Sequence, residues 1–288
     1  MISALLLVLP APVFLPQPQE PAATAEKTEK KAEKRAFPKL QGPDKRKAEG
    51  WLLDLRSSKK DETADAARDG LSALGAAVVP AAIQYWTKMG EERLPYLVAV
   101  LDAALADLDL DLAWKEVDKK TAPEARVYLV RRVADSQRKD ALELLAARLK
   151  DAEEGSREAY EAARGLAWRK DDRGLAGLLA ATGEDWGEHR DRLRKDFAKI
   201  ERGPLSVQTA GLVRQAKSRE DRLAALHLFE LVGGKTQLGA MKPVLRDPDN
   251  IIKLAAINAC RAVHGEEPVD NASVMQIIDL GRSWEARI

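Results

Sequence analysis

Three aspartates at alternate positions are the residues of this chain whose spacing most suggests a metal site. Asp107, Asp109 and Asp111 have the spacing of the first ligands in a calcium-binding loop. In such a loop, however, Leu112 would stand where glycine is needed and Asp118 where a bidentate glutamate is preferred. Because leucines alternate with these aspartates, we predict a packed connection with outward carboxylates and no bound calcium.

The histidines and the single cysteine do not form a pattern typical of catalysis or metal binding. His189, His227 and His264 lie far apart, and none has a ligand partner one helical turn further on. Cys260 stands alone on an apolar helix face, so it cannot form an internal disulfide and is expected to be a small core residue. We therefore predict no catalytic residue, no metal and no cofactor, and a protein that is not an enzyme.

A basic segment at residues 189–202 offers the candidate surface contacts of the chain, which are Arg190, Arg192, Arg194 and Lys195. A cluster of cations can contact phosphates. Here acids recur within one helical turn of most of the cations, which favours a salt-bridged face in solvent. We therefore expect a solvated helix, and nucleic-acid binding is the less favoured alternative.

The elements that carry these residues follow from an internal repeat. Residues 222–234 and 253–265 both begin with a cation, an apolar residue and an alanine pair, and both end on glycine, so that Arg222 aligns with Lys253. Each copy places an apolar residue on one helical face about every three positions. A unit of this length cannot bury its apolar face alone and must pack on its neighbours.

A second pair of segments supports the same repeat. Residues 140–151 align without gaps on residues 236–247, and the helix predicted at 157–168 corresponds to the one after Asp247 if the loop is one residue shorter. Gly165 inside that helix predicts a close approach between helices. Prolines 80, 95 and 243 interrupt other helical patterns, and a proline beyond the first turn would kink its helix. After a last apolar segment at 271–280 we expect a polar tail that contains Trp284.

This order of segments resembles the HEAT repeat. A first helix, a turn with a cation and then aspartate, a second helix that opens on lysine or arginine with an alanine pair, and a closing glycine are similar to the short bacterial form also found in phycobilisome lyases. The best copies are 236–265 and 140–167. The resemblance implies an all-α protein, an α-solenoid of stacked antiparallel helix pairs over residues 44–288.

The resemblance also implies roles for individual residues. In HEAT-like repeats the turn aspartate and the cation of the second helix form an internal ladder, so Asp151, Arg157, Asp247 and Lys253 are interpreted as structural. It further implies that the chain binds other macromolecules. We predict a non-enzymatic scaffold with an unidentified protein partner. An enzyme or enzyme accessory of the phycobilisome-lyase kind and a nucleic-acid-binding solenoid are the alternatives.

Composition agrees with a helical protein. Of the 288 residues, 45% are hydrophobic, 32% are charged and only 5% are aromatic, which is typical of helices with strongly solvated outer faces. The 47 basic and 46 acidic side chains nearly cancel, giving a formal net charge of +1. The whole molecule therefore provides no general attraction for nucleic acid or anionic lipid.

The N-terminal region is predicted to direct export. Residues 2–15 are apolar but too short and too proline-broken to span a bilayer, and a small-x-small site ends at Ala25. We interpret residues 1–25 as a secretory signal peptide and 26–43 as a charged, proline-containing linker. Cleavage would give a periplasmic or secreted chain without a transmembrane helix. The alternative is a disordered leader on a cytoplasmic protein.

Overall fold

The structure is a computed structural model that describes residues 35–117, 123–153, 155–183 and 186–288. Contacts divide the chain into Met1–Arg35 and Ala36–Ile288, and the fold described below is that of the second unit. The predicted signal segment 1–25 and residues 26–34 of the predicted linker lie outside the described residues. Residues 36–41 form no helix, and the first helix begins at Gly42, just before the predicted start at Asp44.

The described part of the chain is all-helical and contains no strand, so the predicted fold class is confirmed at this level. The α-helices within these residues are α1 Gly42–Ser57, α2 Asp61–Ser72, α3 Val79–Tyr85, α4 Leu94–Ala104, α5 Leu110–Glu116, α6 Pro123–Asp135, α7 Ala141–Asp151, α8 Arg157–Trp168, α9 Leu175–Gly183, α10 Trp186–Phe197, α11 Ser206–Gln215, α12 Arg219–Val232, α13 Lys242–Leu245, α14 Asn250–Val263 and α15 Val274–Arg287. Among them, no single helix has the length and apolar character needed to cross a membrane, and one pair, α2 with the segment Gly75–Lys88, meets that test only across a 113° bend.

The prolines start helices and do not kink them. Pro80, Pro95 and Pro243 each lie in the first turn of an α-helix that follows a 3-10 turn. The first turn tolerates proline because its N–H groups have no partner within the helix. The apolar segment predicted at 76–86 is therefore divided into a 3-10 turn, the short helix α3 and a second 3-10 turn.

The even-numbered helices from α2 to α14 recur at regular intervals. Each begins roughly 30 residues after the one before it, which is a typical period for a repeat of two helices. The same interval separates Arg222 from Lys253 in the aligned segments of the sequence. Many of these helices pack on the next even-numbered helix, as α2 does on α4, and each also packs on an odd-numbered neighbour, as α8 does on α7. The recurring unit is therefore a pair of helices.

Ion pairs join residues that are about one unit apart in the chain. Their cations come from even-numbered helices and from the turns beside them, and most of these side chains are at least partly exposed to solvent. The pairs are Arg93 with Asp61, Arg126 with Glu158, Arg132 with Asp102, Arg173 with Glu143 and Arg219 with Asp249. Exposed pairs of this kind each stabilise a fold by about 1 kcal/mol or less. Because each ion pair joins two neighbouring helix pairs, these contacts help to align one helix pair with the next.

Three helices of the even-numbered set end in the same way. Gly75 follows α2, Lys170 follows α8 and Gly265 follows α14, and each has a positive φ of 58°, 66° and 75° respectively. The left-handed conformation ends a helix and favours glycine because it has no Cβ. Lys170 adopts this conformation at the position where the other two units carry glycine.

The prediction of a polar tail after residue 280 is wrong. Residues 274–287 form the helix α15, which begins with a capping box between Ser273 and Gln276. Trp284 lies on its inner face and is only 1% exposed, packed in the same cluster as Ile257 and Cys260 of α14. The buried face of α15 consists of only Ile277, Gly281 and Trp284. Because so few of its positions are buried and apolar, the periodicity of the sequence does not predict this helix.

Close approach between helices is confirmed at Gly165 and is closer still at Gly174. A Cβ at Gly165 would lie 2.8 Å from the Cβ of Ala134 in α6. A Cβ at Gly174, in the turn before α9, would lie 2.3 Å from the carbonyl oxygen of Ala163 in α8. A backbone oxygen cannot rotate away as a side chain can, so the turn itself would have to move.

Gly174→Ala is therefore expected to lower the free energy of unfolding by about 1–3 kcal/mol, the usual cost of overpacking. The matched control is Gly211→Ala in α11, where a Cβ meets nothing within 4 Å. Alanine is the better helix former, so this control should gain about 0.5–1 kcal/mol. Urea denaturation of the two variants measures both changes. Equal effects would contradict the close contact at Gly174.

Candidate functional site: a buried glutamate beneath α10

The regular packing changes at α10, the helix that carries the predicted candidate surface contacts. Although α10 begins at the expected interval, α12 packs along α9 more extensively than on α10. The hydroxyl of Thr182, at the end of α9, donates to the carbonyl oxygen of Ala224 in α12 at 3.1 Å. The helix α10 therefore lies to one side of the packed pair α9 and α12.

A buried glutamate holds α10 in this position. Glu230 of α12 is 1% exposed, and one of its carboxylate oxygens accepts from Arg190 through Nε and Nη2, each at 3.0 Å. Arg194 Nη2 lies 3.0 Å from the same oxygen. Arg190 also pairs with Asp270, and Arg194 lies 3.8 Å from Glu267. A buried carboxylate requires such partners, because removal of a charge from water is costly unless it is paired.

The four candidate surface contacts thus have two different environments. Arg190 and Arg194 face inwards, and their side chains are 12% and 25% exposed. Arg192 and Lys195 are exposed on the opposite side, and within the described residues neither forms an ion pair. The prediction of a solvated face with ion pairs inside one turn does not describe Arg190 and Arg194, which are mostly buried and whose partners lie on other elements.

A stacked aromatic pair holds the beginning of α10. The rings of Trp186 and His227 are 4.3 Å apart between centroids and nearly parallel, with 7° between their planes. The Nδ1 atom of His227 donates to the carbonyl oxygen of Thr182 at 3.0 Å, since a carbonyl can only accept. Burial lowers the pKa of His227 to about 4, and the charge of Arg190 acts in the same direction while the hydrogen bond opposes it. The neutral ring is therefore the folded form near neutral pH.

This pKa predicts a defined pH dependence. In the unfolded chain His227 binds a proton near pH 6.5, whereas in the folded chain it does so only near pH 4. The stability that the folded chain gains by burying the neutral ring of His227 is fully present above pH 6.5 and is lost as the pH falls to about 4. Over that window the wild type should lose roughly 3 kcal/mol more stability than His227→Gln. Urea denaturation at several pH values measures this difference, with His264→Gln as the control that keeps His227. Parallel curves for wild type and His227→Gln would contradict it.

A cavity of about 390 Å³ lies beneath the C-terminal end of α10. Its wall includes the apolar side chains of Phe197, Ile200 and Leu231, all at least nine-tenths buried. Arg194 and Arg202 supply cations at its edge. The loop at 265–267, after α14, contributes two glutamates on the opposite side. The cavity thus combines an apolar wall with both signs of charge.

A second buried glutamate lies in α8 and has a similar environment. Glu161 is 2% exposed and pairs with Arg131 of α6 and with Arg164, whose Nη2 lies 2.9 Å away. Burial alone would raise the pKa of Glu161, but the hydrogen bond from Arg131 and the charge of Arg164 outweigh it, so the pKa is lowered. Glu161 is therefore ionised and serves as the counter-ion for two arginines.

The four ladder residues implied by the family resemblance have different surroundings. Asp247 accepts from Arg222 at 2.7 Å and from the backbone N–H of Asp249 at 2.9 Å. Arg222 is the residue that aligns with Lys253 in the repeat, so this contact joins a helix cation of one unit to the turn aspartate of the next. Within the described residues, Asp151, Arg157 and Lys253 form no ion pair.

The other residues considered for chemistry have structural contacts. Arg138 pairs with Asp111, and Arg132 lies 3.6 Å from Asp107. Burial raises the pKa of Cys260 to about 12, so its thiol stays protonated. In the described ranges no three side chains of His, Cys, Asp or Glu are placed to hold a metal ion.

Sequence reasoning missed Glu230 and the Trp186–His227 stack. One signal for Glu230 was present, because it interrupts the apolar run from Leu228 to Val232 of α12. An acid in such a run must be buried with a partner or must end the apolar face. Its partners Arg190 and Arg194 lie 40 and 36 residues away along the chain, and no local pattern connects them to Glu230.

No protein-family model, curated protein or solved structure matches the chain.

Proposed function

We propose that residues 44–288 form a HEAT-like α-solenoid of stacked antiparallel helix pairs and that this solenoid is a non-enzymatic scaffold that binds another protein. The observation that carries the proposal is the recurrence of helix pairs at intervals of roughly 30 residues, a period typical of helical repeats. Ion pairs between residues 30 or 32 apart accompany this recurrence. Stacked units of this kind produce extended surfaces of a size that suits a protein or a long peptide.

The contacts of α10 favour a protein partner over a nucleic acid. Two of its four cations, Arg190 and Arg194, are already bonded to Glu230, and Arg190 also to Asp270. Arg192 and Lys195 remain for an external contact. Two cations release few counter-ions, and the affinity for a polyanion depends on that number. The solenoid surface as a whole, with nearly balanced charge, suits a partner of mixed charge.

We further propose that the chain works outside the cytoplasm after cleavage near Ala25, on the strength of the N-terminal sequence. Crosslinked affinity purification of a C-terminally tagged chain from separated cell fractions tests both proposals, if the mature N-terminus is determined in the same sample. We expect a chain that begins near Glu26, in the envelope or secreted fraction, with a stoichiometric protein partner. The partner should then form a binary complex with the purified chain.

The result that would overturn both proposals is a cytoplasmic chain that retains Met1 and captures nucleic acid or no protein. Captured nucleic acid would make Arg192 and Lys195 the first residues to substitute. Because both are exposed and without an ion pair in the described structure, Arg192→Ala and Lys195→Ala should leave the fold intact.

A further inference from the structure

The helix α10 differs from its neighbours in how it is held. Among its described side chains, the buried apolar ones are Leu193 and Phe197. By contrast, α12 buries the following apolar residues: Ala224, Ala225, Leu226, Leu228, Phe229, Leu231 and Val232. Apolar burial is the main favourable term in folding, and it scales with the area removed from water. The helix α10 also packs less extensively on its neighbours than α9 and α12 do, so its attachment depends on its polar contacts and on the Trp186–His227 stack as well as on Leu193 and Phe197.

The polar contacts of α10 are distributed over three other elements. Arg190 and Arg194 bond to Glu230 of α12, while Asp270 and Glu267 in the loop after α14 provide outer partners that are 65% and 92% exposed. On the other side, the hydroxyl of Tyr160 in α8 donates to Asp196 at 3.0 Å. The outer pairs weaken as salt is added because their acids are exposed, whereas the buried pairs with Glu230 are screened much less.

Release of α10 would leave α9 packed on α12. These two helices are held together without α10 by extensive contact and by the hydrogen bond from Thr182 to Ala224. In the released state water would reach Glu230, so its charge would be solvated rather than left buried without a partner. The cavity beneath Phe197 and Ile200 would lose one wall at the same time, because α10 and the turn after it form that wall.

From these contacts we infer that α10 is a salt-sensitive lid. It detaches from α12 as a unit, while α9 and α12 stay packed, and in doing so it exposes Glu230 and removes one wall of the cavity of about 390 Å³. Segments with few buried apolar contacts are the ones that open locally in folded proteins. The inference goes beyond the proposed scaffold function, because it holds whether or not a protein partner is found.

Hydrogen-exchange mass spectrometry on the full chain tests the lid without any substitution. The comparison is between about 0.01 M and about 1 M salt, over which the screening length falls from about 30 Å to about 3 Å. We expect exchange of residues 186–197 to rise by about tenfold or more at high salt, a change that corresponds to about 1.4 kcal/mol. Exchange of α9 and α12 should not change. If the backbone amides of α10 and α12 exchange at the same rates as each other at both salt concentrations, α10 does not detach separately and the inference is wrong.

Glu230→Gln provides the second test. Glutamine keeps the shape of glutamate but loses its charge and with it the buried ion pairs, so α10 of this variant should exchange faster than wild-type α10 at low salt as well as at high salt. The matched control is Glu143→Gln, which removes a 76% exposed glutamate whose partner, Arg173, is not part of α10. It should leave exchange of residues 186–197 unchanged. An equal response to the two substitutions, or none to Glu230→Gln, would overturn the inference.

Discussion

Replacement of Glu161 by alanine is expected to lower the free energy of unfolding by about 3–5 kcal/mol, the cost of breaking a buried ion pair. The carboxylate is 2% exposed and is the shared partner of Arg131 and Arg164. Without it, the guanidinium of Arg164, itself only 14% exposed, keeps its charge in a site with little water. Urea denaturation followed by circular dichroism measures the loss.

The control for this substitution is Glu143→Ala. Glu143 is also paired with an arginine, Arg173, but it is 76% exposed. Removal of an exposed pair should cost about 1 kcal/mol or less. Similar losses for the two variants would show that burial of Glu161 does not determine its contribution.

Trp284→Ala is expected to cost about 3–5 kcal/mol, the range for truncation of a fully buried large aromatic side chain. The ring packs among residues of α14, and the guanidinium of Arg287 lies 3.9 Å from its centroid. Since Trp284 is the largest side chain on the inner face of α15, its loss should detach this helix before the others. Hydrogen exchange of residues 274–287 should rise first, at denaturant concentrations where α12 is still protected.

Met275→Ala on the same helix is the matched control, because Met275 is 67% exposed. Exposed substitutions usually change stability by about 0.5 kcal/mol or less. If Trp284→Ala were as mild as Met275→Ala, the C-terminal residues would behave as the polar tail that the sequence predicts, and the buried position of Trp284 would be contradicted.

Local patterns were sufficient for most of the helices. The boundaries of α8, Arg157–Trp168, agree with the prediction because a serine N-cap, Ser156, and a regular apolar face mark it. The offset between Arg222 and Lys253 is close to the spacing of the even-numbered helices. The short helices α3 and α13 were not separated from their 3-10 turns, since a 3-10 turn and the first turn of an α-helix have similar sequence preferences. The helix α15 was cut short because its buried face is narrow.

The candidate site could be predicted only in part. Acids near the cations of residues 189–202 predict ion pairs within the helix on a solvated face, whereas Arg190 and Arg194 pair with the buried Glu230. The sequence could not indicate this partner, because it lies 40 residues from Arg190 and 36 from Arg194, and the contact depends on the position of α10 beside α9. The apolar residues of α10 have the spacing expected of a helix in a regular repeat. Their periodicity therefore does not reveal that α10 is displaced.

The ion pairs between units also bear on how such a chain can change length in evolution. A pair that joins residues 30 or 32 apart keeps both partners when a whole unit is duplicated or lost elsewhere in the chain. The contacts of α10 follow another rule, because Arg190 reaches residues 40 and 80 positions away. Loss or insertion of a unit between α10 and α14 would separate these partners. A helix pair inserted between α10 and α14 would therefore break the contacts of α10 in addition to the contacts between successive helix pairs.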